Sequence, residues 1–367
     1  MAYGSVNVDK MTTSDGISSS GVYGFKNRII NGAMVLNQRG FSGTPASLEY
    51  TLDRWRTLMS TASSKFTVSQ NAGSVTPPAG FINYLGVTSS SAYSVGSGDQ
   101  YGIQQWIEGY NIADLAWGTA NAQTVTLSFW VRSSLTGTFG GSLGNSGGSR
   151  SYPFTYTISS ANTWEYETIT IAGDTSGTWL TDNSRGLNVT FGLGVGSTLS
   201  GTAGAWAGAD YRSATGATSV VGTNGATFYV TGVMLEKGST ATSFDYRPYG
   251  TELQLCQRYY QKFSATGGGQ NFGSGMMNTT TTSRMFIPFL VPLRTNPTAL
   301  EQSGTASDYA IFHGGTVTTC SAVPGFVSAT VNGGGFEATI ASGGTIGYGT
   351  LLRSATSSAY LGFSAEL

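Results

Sequence analysis

Hydrophobic and polar residues alternate with a period of two along much of this chain. In QTVTLSFWVR, Val125, Leu127, Phe129 and Val131 fall on one face and Thr124, Thr126, Ser128, Trp130 and Arg132 on the other. That is the pattern of a strand with one side in a core. Leu187, Val189, Phe191 and Leu193 repeat it in LNVTFGL. Lys65 to Ser69, Ile103 to Ile107, Glu165 to Ile171 and Ala226 to Leu235 read as further strands. Gly- and Ser-rich stretches such as Gly137 to Ser149 read as turns between them. Half-buried strands spaced by long turns over roughly 220 residues predict a two-sheet sandwich of jelly-roll type.

After TGVMLE, Thr231 to Glu236, the residues Gly238, Pro248 and Gly250 close that domain. TELQLCQRYYQKF, Thr251 to Phe263, reads as a helix, with Leu253, Cys256 and Tyr260 on one stripe. In the remainder, Pro288 and Pro292 mark Phe286 to Leu293 as an edge strand or a bulge. FVSATV, FEATI and AYLGFSAEL, ending at Leu367, are further strands. The expected fold class is all-β, in three parts: an extended N-terminal arm (1–26), a jelly-roll β-sandwich (27–250) and a smaller C-terminal β domain (251–367), with one short linking helix.

Composition narrows the class further. Of 367 residues 53 are glycine and only 10% are charged, where soluble domains carry roughly 25%. That excludes a helical bundle and a doubly wound sheet, both of which need rows of helix formers. With 39% hydrophobic and 12% aromatic residues the chain can bury enough surface to fold. Eighteen basic residues scattered among 19 acidic ones give no face for nucleic acid. No apolar run reaches the ~18 residues of a membrane helix, so membrane insertion is not expected. Met1 to Asp9 has neither a basic nor an apolar leader region, and two cysteines suit a reducing cytoplasm.

Candidate catalytic chemistry is thin. His313, the single histidine, sits in YAIFHGG beside a turn and reads as structural. GxSxG occurs at Gly140 to Gly144 and again at Gly144 to Gly148, but neither serine stands between a strand and a helix as a nucleophile elbow requires. Gly192 to Gly196 lies in a strand-like run and opens no helix, which removes a dinucleotide reading. Glu165 and Glu167 alternate on one strand face, where carboxylates are usually just solvated, although glycosidases do pair two. Neither HExxH nor CxxC occurs, and no metal or cofactor is expected. The chain reads as a non-enzyme.

Aromatic loops remain. Trp117, Trp164, Trp179, Trp206, Tyr110, Tyr152 and Tyr211 all stand near turn residues, where a ring can stack on a sugar or tuck under its own loop. AGAWAGADYRSATG brings Trp206, Asp210, Tyr211 and Arg212 together. The candidate carbohydrate site is Trp206, Asp210 and Tyr211, with small neighbours leaving the indole exposed and Asp210 accepting hydroxyl hydrogen bonds. In the arm, Val6, Val8, Met11, Val22 and Tyr23 are candidates for attachment to a partner protein, inserting in its groove or adding a strand there.

FKNRIINGAMVLNQRG with YTLDRW, then TNGATFYVTGVMLEKGSTATSFDYRPYGTELQLCQRYYQKF, and finally AYLGFSAEL resemble the opening, close and C-terminus of phage virion proteins of the tail-fibre and receptor-binding kind. The resemblance spans nearly the whole chain and is most specific from Thr223 to Phe263. It implies a homotrimeric, non-enzymatic component of the virion, assembled in the host cytoplasm, often with a carbohydrate-binding-like sandwich. The implied partners are host surface polysaccharide and, through the N-terminus, other virion proteins of the tail, baseplate, collar or capsid. The alternative role is a capsid decoration, collar or head-fibre protein without receptor binding.

Overall fold

The alternating faces read from the sequence become two packed sheets. The computed structural model describes residues 25–60 and 64–367, so the arm candidates Val6, Val8, Met11, Val22 and Tyr23 lie outside the described residues. The chain divides into two units, one ending at Glu252 and one beginning at Leu253. The first holds β1 (Ser42–Gly43), β2 (Arg56–Met59), β3 (Phe66–Gln70), β4 (Leu85–Ser89) and β5 (Gln100–Glu108). There follow β6 (Val125–Ser133), β7 (Gly137–Asn145), β8 (Ser151–Ile158), β9 (Glu165–Ile171) and β10 (Arg185–Val195). The short β11 (Ser200–Gly201) and β12 (Ser213–Ala214) precede the long β13 (Thr227–Lys237).

One sheet has the order β1-β3-β4-β13-β6-β9 and the other β2-β5-β10-β7-β8. Val125, Leu127, Phe129 and Val131 of β6 and Leu187, Val189, Phe191 and Leu193 of β10 are all fully buried in one shared core. Phe129 of one sheet meets Phe191 of the other edge-on at 4.9 Å, a geometry the ring quadrupoles favour.

Gly137 to Ser149 is not the turn its composition suggests. Its first nine residues are β7, an inner strand between β10 and β8. The glycines are there because neighbours occupy the space of their side chains. A Cβ on Gly141 would lie 2.3 Å from the Thr190 carbonyl oxygen and 2.5 Å from the Phe154 ring. Tyr152, which reads as standing near a turn, and Pro153 belong to β8, the sheet edge, where a missing N–H is tolerated.

The opening and closing sequence blocks of this unit hold each other. Asn27 donates from Nδ2 to the Val233 carbonyl (3.1 Å), while its Oδ1 accepts from the N–H groups of Ile29 and Leu235. Arg247 donates to the Ile29 carbonyl and to Glu252, whose carboxylate accepts the Asn31 N–H. Trp55 donates its indole N–H to the Asn31 carbonyl at 3.1 Å. Asn27, Asn31 and Glu252 are buried, and their hydrogen bonds tie the opening block to the closing one. Their role in this unit is scaffolding.

The helix α1 (Tyr249–Gln257) spans the division between units and is shorter than the sequence pattern predicts. Tyr260, placed on its stripe by the sequence, opens β14 (Tyr260–Ser264) instead. The second unit continues with β15 (Asn271–Met277), β16 (Thr282–Pro288), β17 (Glu301–Gln302) and β18 (Tyr309–His313). Then come β19 (Thr316–Thr330), β20 (Gly333–Ile340), β21 (Gly349–Ser354) and β22 (Tyr360–Ser364). Six of these close a barrel in the order β15-β16-β20-β19-β18-β21, and β14-β22-β17 form a small sheet. Helix gives way to strand because β14 pairs with β22 along its whole length, from Tyr260 opposite Ser364 to Ser264 opposite Tyr360. Closure also corrects the edge assignment of Phe286 to Leu293. β16 is paired on both sides, and Pro288 is tolerated as its last residue.

Candidate functional site

The face of the five-stranded sheet that points away from the core is polar. In β5, Tyr101, Ile103 and Ile107 join the core, so Gln104 and Trp106 turn outward. Register then sets one residue of each neighbouring strand beside Gln104. Arg56 pairs with Gln104, Gln104 with Thr190, Thr190 with Ser142, and Ser142 with Pro153. One row of side chains therefore crosses all five strands.

Hydrogen bonds run along this row. Arg56 donates from Nε (3.1 Å) and Nη2 (2.8 Å) to Gln104 Oε1, and Gln104 Nε2 donates to Thr190 Oγ1 at 2.9 Å. The Thr190 hydroxyl donates to Asn188 Oδ1, and the Asn188 amide in turn donates to the Gly144 carbonyl at 3.0 Å. At the end of the row Ser142 Oγ is fully buried with no partner. Trp106, opposite Asn188, lies against both Arg56 (5.7 Å to the ring centre) and Arg185 (5.3 Å).

A strap, residues 197–215, crosses this face, and the candidate sugar-contact residues are on it. Ala207 exchanges both backbone hydrogen bonds with Ser151 of β8, and Ser151 Oγ donates to the Ala209 carbonyl and accepts from the Tyr211 N–H. Ser213 sits over Gly140 and Gly192, where a Cβ would approach its Oγ to 2.5 and 2.8 Å. The absence of side chains on β7 and β10 at these points is what admits the strap.

Trp206 is half-buried rather than exposed. Its ring meets Trp117, Tyr152 and Trp179 edge-on at 5.3, 5.3 and 5.5 Å, and its N–H donates to the Ala172 carbonyl at 2.7 Å. Trp117 and Trp179 are themselves buried and spend their N–H groups on the Gln123 and Ser176 carbonyls. Asp210 is paired with Arg212 at 2.5 Å, and the Tyr211 ring lies on Gly201. The three candidates thus share one strap but have different neighbours.

Sequence reasoning missed Arg56, Gln104, Trp106, Asn188 and Thr190. The alternation in QQWIE and LNVTF does put them opposite the core face, but nothing local says that a distant strap covers that side. The other candidates fall away from this face. Glu165 accepts the N–H groups of Ser159 and Ser160 and so closes the β8–β9 turn. Burial first, and then Glu165, holds the Glu167 carboxyl above the usual range. His313 is buried, with Nε2 3.0 Å from Thr318 Oγ1. Among the described residues no group of three His, Cys, Asp or Glu is placed to hold a metal.

No protein-family model matches the chain, and no curated protein sequence does. Solved structures similar to it include the enzymatically active domain of tailspike protein 4 from bacteriophage CBA120, at 12% identity and a TM-score of 0.32 over 58% of this chain and 22% of that one. A putative sugar binding protein from Bacteroides thetaiotaomicron is 13% identical over 58% of this chain and 100% of its own, with a TM-score of 0.34. A family 11 carbohydrate-binding module from Clostridium thermocellum is 11% identical over 55% and 97%, with a TM-score of 0.27. The chain thus spans about a fifth of the tailspike structure. Similarity this loose is too weak to assign a site or an activity.

Proposed function

We propose that this chain is a phage virion protein of the tail-fibre kind whose sandwich binds a host-surface glycan without cleaving it. The observation that carries the glycan reading is the outer sheet face. A row of amide, hydroxyl and guanidinium groups from Arg56 to Ser142 runs beside Trp106, buried where a strap bearing Trp206, Asp210 and Tyr211 crosses the face, with Arg185 exposed at its edge. Sugars are recognised by such a set, polar groups fixed in orientation next to aromatic surface. The virion role rests on the sequence blocks that resemble tail-fibre proteins, with residues 1–26 as the attachment arm.

A homotrimer fits the outer wall of the barrel. Register places Phe286, Ser274, Leu351, Phe312 and Val317 side by side across five of its strands. Phe286 and Val317 are more than half exposed. Neighbouring copies would cover this row, whereas Phe363 is already buried in its own unit. Repeated weak sites on such an assembly gain avidity.

The direct test is adsorption. The purified chain should compete with intact particles for host cells, and an antibody to it should decorate the tail tip in electron micrographs. Decoration of the head with no competition would select the capsid-protein alternative. Light scattering should give three chains per particle, and deleting residues 1–26 should block incorporation.

A further inference from the structure

Arg56 carries a buried charge that pairs with no carboxylate among the described residues. It is 6% exposed. Its guanidinium is bonded to neutral groups, the Gln104 amide and Tyr50. A buried cation normally has a carboxylate partner, because desolvating it is otherwise costly. Here the neighbouring charges are instead Arg185 and Arg212. Burial lowers the Arg56 pKa; Tyr50 opposes that shift, while Arg185 and Arg212 add to it. Arg185 is exposed, is stacked against the Trp106 ring, and is in none of the ion pairs among the described residues.

The ring that Arg56 and Arg185 share is itself unsatisfied. Trp106 is 4% exposed, and its indole N–H has no acceptor among the described residues. Arg212 Nε is likewise buried with no acceptor, although Nη2 of the same guanidinium holds Asp210. Two unused donors, on Trp106 and Arg212, and the buried guanidinium of Arg56 thus lie on the strap-covered side of this sheet. A neutral sugar hydroxyl could take the hydrogen bonds but would leave the charge uncompensated. An oxyanion would answer both.

We infer that Arg56 and Arg185, both on the Trp106 ring, form an anion site with Arg212 of the strap, and that the glycan taken by this face is acidic, carrying carboxylates on its sugar units. This rests on the glycan reading above and adds the charge of the ligand. Arg185 is the accessible first contact, Arg56 the buried counter-charge. Asp210 occupies Arg212 as an internal stand-in for the ligand's carboxylate. Its side chain is 37% exposed, so it can leave Arg212 when a ligand carboxylate arrives.

The two readings part at Asp210. If Asp210 accepts hydroxyls from a neutral sugar, D210N weakens binding; if it competes with a ligand carboxylate, D210N strengthens it. The full chain is titrated calorimetrically with polygalacturonate and with fully methyl-esterified polygalacturonate, which keeps the backbone and removes the charge. Expected are binding of the acid form only, about tenfold weaker binding by R185Q, a gain for D210N, and steep loss with added salt. Arg185 is exposed, so R185Q should keep the wild-type melting temperature and test the site without the folding risk of altering Arg56. Equal binding of both polymers, or an R185Q variant that binds like wild type, overturns the anion site while the glycan reading stands. Binding of neither polymer overturns both. Binding of a random single-stranded DNA as tightly as the acid polymer also overturns the inference, since generic polyanion attraction would then explain the cluster.

Discussion

Arg150 and Asp174 face each other as a two-pronged ion pair, Nε to Oδ2 and Nη2 to Oδ1, both at 2.7 Å. The Asp174 side chain is 1% exposed and that of Arg150 is 19% exposed. Asp174 also accepts the Ser176 N–H, and Gly177 packs on the Arg150 stem, where a Cβ would come within 2.4 Å of it. The pair therefore fixes the loop carrying Trp179 against the start of β8. Removing Asp174 leaves the half-buried Arg150 without its counter-charge and the loop without its anchor, which costs more than the pair itself contributes. D174A is expected to lower stability by about 2–4 kcal/mol, read as a shift of the urea midpoint at unchanged slope.

Trp206 belongs to the same corner. Three edge-on rings and one hydrogen bond hold it, so W206A removes the peg that seats the strap. The expected loss is about 2–3 kcal/mol, with W206F recovering roughly half because it restores ring contact but not the bond to Ala172. If Trp206 acts through seating, glycan affinity in W206F stays near wild type. A folded W206F with no binding would instead make the indole a direct sugar contact.

β7 yields a sharper prediction. At Gly141 a Cβ would strike the Thr190 carbonyl, which is backbone and cannot swing aside, so G141A should cost ~3 kcal/mol or more. At Gly147 the nearest atom to such a Cβ is Ser149 Oγ at 3.8 Å. G147A should therefore melt within a degree or two of wild type. Comparable melting of both variants would mean that β7 is not packed between β10 and β8.

These strands also show what was legible in the sequence. Val125 to Val131 and Leu187 to Leu193 could be read because their side chains alternate, and alternation records which side meets the core. β7 records its packing by having no side chains, a pattern that a flexible turn shares. Tyr260 fits a helical stripe locally, but pairing with β22, about a hundred residues further on, decides it. At the site, the candidate stretch from Trp206 to Arg212 could be found from its composition. Arg56 and Trp106 could not, because their meaning depends on the register of β2 against β5 and on the missing carboxylate. No single stretch of sequence contains either.

The last prediction concerns Cys320, on β19 in the second core. It is 5% exposed, and burial pushes its thiol from 9.0 up to about 12. Two consequences follow from the single cause that a thiolate is poorly solvated there. At pH 8 iodoacetamide should label Cys320 at least a hundredfold more slowly in the native protein than in urea, since both thiolate and access are suppressed. The same shift also links stability to pH. The folded pKa is the raised one, so the contribution is fully present below pH 9 and is lost as pH rises toward 12, where the unfolded chain has shed its proton and the folded chain still holds it. Each pH unit in that window is worth on the order of 1 kcal/mol. Tyrosines and lysines titrate there too, so the comparison is with C320A. The melting-temperature difference between wild type and C320A should shift steadily against the wild type from pH 8.5 to 10.5. A constant difference across that range would mean that the Cys320 thiolate forms in the folded barrel as easily as in water.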